Sequence, residues 1–213
     1  MAADLLEVVD LACRRGGRPV FDGLSLALGA GELLVLTGRN GSGKTTLLRA
    51  LALLLRPDSG RILWQGAEVQ ADPETWRNRL AWLGHLDGLK GDLTVRENLL
   101  AAERLRGGPA AQDRLDLALL AFDLVSLAAR PVRTLSAGQR RRTALARVVQ
   151  SPAPLWLLDE PLNALDATAQ SAFRATMANH LAAGGLAVAA THAELGVPQA
   201  RALELAAPQK ALT

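Results

Sequence analysis

The sequence predicts an α/β fold with a mainly parallel sheet, N-terminal antiparallel strands and an inserted helical lobe. Three observations carry that prediction. Short apolar strands alternate with helical stretches through most of the chain, which implies a sheet covered on both faces. One of those strands runs straight into the glycine-rich run Gly38-Arg-Asn-Gly-Ser-Gly-Lys-Thr-Thr46 and then into an apolar helix. Another, Leu155–Leu158, ends on the acid pair Asp159-Glu160.

The elements follow in order. Leu5–Leu11 and Pro19–Leu28 form two strands joined by a turn at Gly16-Gly17. Glu32–Thr37 is the strand before the glycine run, and Leu47–Leu55 the helix after it, stopped by Pro57-Asp-Ser-Gly60. Arg61–Trp64 and Leu80–Gly84 are further strands. Helical spacing then takes over in Val95–Arg106 and Ala111–Ala121, with Thr94-Val-Arg-Glu97 as a capping box. Ser136 opens a helix through Gln150. Two buried strands, Leu155–Leu158 and Leu186–Ala190, flank a helix from about Asp166 to Leu181. The expected organisation is one domain over 1–213, with a helical subdomain over 87–150 whose inserted part is roughly Asp87–Leu135.

Composition narrows the function. At 213 residues and 22.5 kDa, with 49% hydrophobic residues, the chain can bury a substantial core. Lys+Arg 24 against Asp+Glu 21 leaves +3, a weak field despite a pI near 9.7, so charge gives no argument for nucleic acid. The single cysteine, Cys13, excludes an intramolecular disulfide, and His85, His180 and His192 are too scattered for a zinc site. Asp4, Glu7 and Asp10 make the N-terminus unlike a secretory signal. The longest uncharged stretch, Ala175–Ala193, contains Asn179, His180 and Gly184-Gly185, and reads as helix, turn and strand rather than a membrane span. The expectation is a soluble, cytoplasmic chain.

Gly38-x-x-x-x-Gly43-Lys44-Thr45 is a phosphate-loop pattern in the strand–loop–helix setting that such a loop requires. Glycines let successive backbone N–H groups point inward around an anion, and the following helix adds unpaired N–H groups and a positive dipole end. The dipole contributes only about 0.3–1 kcal/mol, up to ~2. Selecting a triphosphate therefore needs the Lys44 ammonium as well. Gly38, Arg39, Asn40, Gly41, Ser42, Gly43, Lys44, Thr45 and Thr46 are the expected ATP-binding residues, with the Thr45 hydroxyl available to Mg²⁺. Asp159, at the carboxyl end of an apolar strand, would hold the hydrated Mg²⁺, and Glu160 would orient and deprotonate the attacking water.

Leu135-Ser-Ala-Gly-Gln139 stands before Arg140-Arg-Arg-Thr-Ala-Leu-Ala-Arg147. This resembles the signature motif of ABC-type ATPases, usually Leu-Ser-Gly-Gly-Gln, with Ala137 in place of the first glycine. The resemblance implies that Ser136, Ala137, Gly138 and Gln139 meet the γ-phosphate of an ATP held by another subunit, with Ser136 capping the helix. Read alone, the arginine run is a solvated or nucleic-acid-facing surface. Asn163-Ala-Leu-Asp166 resembles the family's D-loop, and His192 stands where the family has its switch histidine, a γ-phosphate contact. Two positions depart from the pattern. His85 occupies the place of the Q-loop glutamine; an imidazole can hold water near Mg²⁺, but it titrates near neutral pH and an amide does not. No aromatic residue falls near Arg15-Gly16 to stack on adenine; the nearest ring is Phe21, and the Arg15 guanidinium is the alternative.

Within that superfamily the chain is similar to the haem-exporter ATPase subunits of cytochrome c maturation. Leu63-Trp-Gln-Gly66, Trp82-Leu-Gly-His85, Leu-Ser-Ala-Gly-Gln and Leu155-Trp-Leu-Leu-Asp-Glu-Pro161 carry the likeness. It implies a head-to-tail dimer with two sandwiched ATP sites, docked through Asp87–Leu99 to an integral membrane permease with haem-handling membrane proteins. It also implies a peripheral place on the cytoplasmic side of the inner membrane. ATP hydrolysis would power haem export or the release of a haem-loaded chaperone. Two alternatives stay open: an ATPase of another small exporter or lipoprotein-release system, and a soluble ABC protein acting on nucleic acid or ribosomes.

Overall fold

A computed structural model describes residues 5–105 and 112–205. Its core is a five-stranded parallel sheet, built from β3 (Leu33–Thr37), β6 (Leu80–Leu83), β7 (Leu155–Asp159), β8 (Leu186–Ala190) and β9 (Arg201–Glu204) in the order β6-β7-β8-β3-β9. Every residue of β7 and β8 is buried, as expected of central strands with helices on one face and a second sheet on the other.

That second sheet is antiparallel, in the order β2-β1-β4-β5, from β1 (Leu6–Arg15), β2 (Arg18–Leu28), β4 (Ser59–Trp64) and β5 (Ala67–Glu68). Arg15 pairs with Arg18 across Gly16 and Gly17, both at positive φ (57° and 77°). This two-residue turn matches the right-handed twist of the strands it joins. Leu6, Leu11, Leu28 and Ile62 from this sheet bury themselves with α1 (Lys44–Leu51) and one face of the parallel sheet. The opposite face is covered by α3 (Val95–Arg104), α4 (Gln112–Ala121), α5 (Ala137–Val149) and α6 (Ala167–Ala182). Leu99, Leu115, Leu119 and Phe122 of the helical segment share one buried cluster with Leu83, Trp156 and Phe173, so these helices and the sheet have a continuous core.

The expected capping box is present: Thr94 Oγ1 accepts from Glu97 N–H at 3.1 Å and Glu97 Oε2 accepts from Thr94 N–H at 2.8 Å. Several boundaries move. The helix expected over Leu47–Leu55 begins earlier, at Lys44, because Gly43 takes a left-handed conformation and turns the chain directly into it. It ends at Leu51, where the chain runs through Ala52 into a left-handed Leu53 (φ 53°). Of the expected helix ends, Arg106 and Ala111 lie outside the described residues. A short helix absent from the expectation, α2 (Pro73–Asn78), is capped by Asp72, whose side chain accepts from Thr75 N–H. Trp76 anchors it, donating to the Leu51 carbonyl at 2.8 Å and packing on Trp64.

One packing feature makes stability depend on pH. The His180 ring stacks on Trp156 with centroids 4.0 Å apart, and its Nε2 lies 3.1 Å from the Leu186 carbonyl. Gly185 is the only residue type that fits beside it, since a Cβ there would enter the imidazole. Burial holds the His180 pKa below its ordinary value. The unfolded chain therefore binds the proton more readily than the folded one. Stability from neutral His180 is complete above the unfolded value of about 6.5 and declines as pH falls through it. Thermal melts from pH 7.5 to 5.5 should show a drop in Tm that is smaller in His180→Phe, which keeps the stack and loses the titration. Equal drops would exclude His180 as the source.

Candidate nucleotide site

The carboxyl ends of β3, β6, β7 and β8 point to one edge of the parallel sheet. In open sheets of this kind ligands bind beyond that edge. The order β7-β8-β3 sets the loop after β3 within two strands of the acids after β7. A cleft of about 960 Å³ opens there, and Lys44, Thr45, His85, Asp159, Glu160 and His192 all line it. Residues far apart in sequence are thus brought to one place by topology.

The loop is shaped for close approach. Gly38 and Gly43 have φ of 125° and 106°. A Cβ on Gly43 would lie 2.6 Å from Val20 Cγ1, and one on Gly38 would lie 2.8 Å from Ser42 Oγ and run into the Leu205 carbonyl. The first bond across the start of α1 is Leu47 N–H to the Gly43 carbonyl, at 2.8 Å. The N–H groups of Lys44, Thr45 and Thr46 therefore lie outside the helical ladder, and no side chain caps them. Ser42 Oγ is buried with no hydrogen-bond partner among the described residues. Lys44 is buried too, its Nζ donating to the carbonyls of Gly38 at 2.6 Å and Arg39 at 3.1 Å, across the loop. Uncapped donors, a partnerless hydroxyl and a buried ammonium together fit an oxyanion.

Beside it, Thr45 Oγ1 donates to Asp159 Oδ2 at 3.0 Å, and Asp159 is buried. Two oxygen donors, one anionic, meet next to a phosphate cradle; that donor set suits Mg²⁺, which prefers few carboxylates together with substrate phosphates. Glu160 has a left-handed backbone (φ 49°), and its N–H donates to the Ala190 carbonyl at 2.8 Å. His192 and His85 are exposed on the cleft wall. Arg15 and Val20 line the cleft at the end formed by the β1–β2 hairpin, whereas Phe21 packs under Gly43.

The signature residues lie elsewhere. Ser136 caps α5: its Oγ accepts from Gln139 N–H at 3.2 Å, and Gln139 Oε1 accepts from Ser136 N–H at 3.0 Å. Ser136 and Ala137 are exposed, and neither they nor Gly138 and Gln139 line the cleft of their own chain. Gly138 approaches the Ala164 carbonyl, 3.1 Å from where a Cβ would be. Asp166 is the N-cap of α6, its Oδ1 accepting from Ala169 N–H at 2.8 Å, and is exposed outside the cleft.

The arginine run does not form the solvated surface that its charge suggests. Arg140 donates to the Leu135 carbonyl, Arg142 to the Phe122 carbonyl and the Asp123 carboxylate, and Arg147 to the Asp87 and Gly88 carbonyls. Arg141 reaches the carbonyls of Asp159 and Glu160. Sequence reasoning missed it as a site residue, because a guanidinium aimed at backbone carbonyls leaves no trace in spacing.

The sequence pattern of the ABC transporter family matches residues 21–163, more than half of the chain. The chain belongs to the ABC transporter family. It is the ATP-binding, ATP-hydrolysing part of such a system, with the fold of the family's ATPase cassette. A solved structure described as an ATP-binding subunit of an ABC transporter superposes with a TM-score of 0.82 at 28% identity, covering 88% of this chain and 80% of that one. The cytochrome c biogenesis ATP-binding export protein CcmA of Rhodospirillum rubrum is 50% identical over 196 residues, 92% of this chain and 83% of that protein. CcmA of Paramagnetospirillum magneticum is 47% identical over 207 residues, 96% of this chain and 95% of its own length. Among the described residues no helix is long and apolar enough to cross a membrane.

Proposed function

We propose that this chain is the ATP-hydrolysing subunit of an ABC-type complex for cytochrome c maturation, powering haem export or release of a haem-loaded chaperone through a membrane permease. The convergence of Lys44, Thr45, Asp159 and Glu160 on one cleft is the observation that carries the ATPase reading. The identity of about half to proteins named for cytochrome c biogenesis supports the pathway.

In this reading Gly38–Thr46 bind the phosphates of ATP through backbone N–H groups, the Ser42 hydroxyl and the Lys44 ammonium. Thr45 and Asp159 would hold Mg²⁺, which when bound neutralises charge on the phosphate oxygens. Glu160 orients a water in line with the γ-phosphate and takes its proton as the water oxygen attacks phosphorus and the bond to ADP breaks. His192 hydrogen-bonds the γ-phosphate, and His85 positions water from the opposite wall. Arg15 stacks on the base in place of an aromatic ring. Ser136–Gln139 lie outside the cleft of their own chain, with Ser136 and Ala137 exposed, so they complete the site of a second copy under two-fold symmetry, and Asp166 lies at that interface.

The segment 87–99 docks a membrane permease, placing the chain on the cytoplasmic face of the inner membrane, and 87–150 serves as the helical subdomain that carries the dock. Affinity purification from native membranes tests the pathway. An integral permease together with haem-handling membrane proteins is expected to co-purify. A lipoprotein-release permease, or ribosomes and nucleic acid, would contradict it.

A further inference from the structure

Arg141 touches neither the phosphates nor the attacking water in that reaction, yet four hydrogen bonds fix its guanidinium. It is 5% exposed. Nη2 donates to the carbonyls of Asp159 at 2.9 Å and Glu160 at 2.6 Å; Nη1 donates to the Gly84 carbonyl at 3.1 Å and to Asp87 Oδ1 at 3.2 Å. Among the described residues Nε is buried with no hydrogen-bond partner, so the forked end holds the group. One rigid plane on the signature helix thus ties the turn after β7 to the turn after β6.

Glu160 explains why this matters. A left-handed backbone is unfavourable for a side chain with a Cβ and persists only where the surroundings hold it. Here both of its backbone polar groups are held: the N–H by the Ala190 carbonyl, and the carbonyl by Arg141 at 2.6 Å and more weakly by Asn163 N–H at 3.2 Å. Without the guanidinium that carbonyl keeps only the longer bond from Asn163 N–H, and the left-handed turn that aims the carboxylate loses its shorter restraint. On the other side, Arg147 grips the carbonyls of Asp87 at 3.0 Å and Gly88 at 2.7 Å, so segment 84–88 is attached to α5 at both ends. A displacement of that segment pulls on Arg141 through Gly84 and Asp87.

We infer that Arg141 is a positioning residue that holds Glu160 in register for water attack and makes that register depend on segment 84–88. The inference rests on the ATPase reading above. It is tested by measuring ATP affinity and kcat separately in wild type, Arg141→Gln, Arg141→Lys and Arg141→Gln/Asp87→Asn. The last variant removes the carboxylate left unpaired and guards against misfolding.

Misplacing a reacting group by about 1 Å costs on the order of 100-fold in rate. Arg141→Gln is expected to lose about 10- to 100-fold in kcat with little change in ATP affinity, and Arg141→Lys to recover part of it. In a Glu160→Gln background, Arg141→Gln should add no comparable loss in turnover and should leave ATP-driven pairing intact.

An unchanged kcat in a folded Arg141→Gln overturns the inference. So does a parallel loss of kcat and affinity that Asp87→Asn restores, which marks a purely structural role. Wild type without Lys44-dependent ATPase would overturn the underlying reading as well, whereas Lys44-dependent ATPase with normal kcat in the variants overturns only the role of Arg141.

Discussion

Lys44→Ala is expected to abolish ATP turnover and to weaken ATP binding by about 10- to 100-fold, the equivalent of one lost charge-assisted hydrogen bond of about 1.5–3 kcal/mol. The reason lies in the surroundings of Lys44. Its Nζ is held over the loop by the Gly38 and Arg39 carbonyls, so it is already immobilised where phosphate oxygens would enter. Alanine leaves the backbone N–H groups of α1 in place, and these retain residual affinity for phosphate. The loss in turnover is larger than the loss in binding, because charge builds on the phosphoryl oxygens as the bond breaks and the ammonium answers it most strongly there. Titration calorimetry with ATP and a phosphate-release assay separate the two. Unchanged hydrolysis in Lys44→Ala would remove the loop from the reaction.

Glu160→Gln has the opposite signature. It keeps the shape and the hydrogen-bonding reach of the side chain but removes the base. General-base catalysis contributes about 10²–10⁴-fold, and kcat should fall by that order. Binding groups remain, so ATP affinity is preserved and the ATP-bound state accumulates. Size-exclusion chromatography of Glu160→Gln with ATP should show a dimer that wild type forms only transiently. A variant that stays monomeric at saturating ATP would count against a shared site.

The fold was legible where sequence and physics coincide locally. The strand–glycine loop–helix run, the acid pair at the end of an apolar strand and the Thr94–Glu97 box are all short-range signals, and each is present, with only the bounds of the helix shifted. Other elements were not. β9 is a four-residue edge strand with three exposed positions, Arg201, Ala202 and Glu204, and too short for any period to show. α2 has six residues and one buried side chain, Trp76, so amphipathic spacing could not reveal it, although Asp72-Pro73 is a legible helix start. The end of the first helix was misplaced because apolar residues continue to Leu55 while the backbone has already turned at Leu53.

At the site, the order of motifs anticipated the grouping of Lys44, Thr45, Asp159 and Glu160 with His85 and His192. Arg141 was hidden for a different reason. Three consecutive arginines look alike in sequence, and only the rotation of α5 against the sheet decides that the middle one points at Asp159 and Glu160 while Arg142 points at Phe122. The arginines also show why charge runs mislead: burial of their stems and ligation by carbonyls turn a basic stretch into internal scaffolding.

The phosphate loop lines an open cleft, and the signature residues Ser136–Gln139 lie outside that cleft, with Ser136 and Ala137 exposed. A structure of Glu160→Gln determined with ATP and Mg²⁺ is the most direct measurement. It should show each triphosphate between the Lys44 loop of one protomer and Ser136 of the partner subunit, twice per dimer. A nucleotide resting on the loop alone at saturation, with both copies of Ser136 in solvent, would contradict the account.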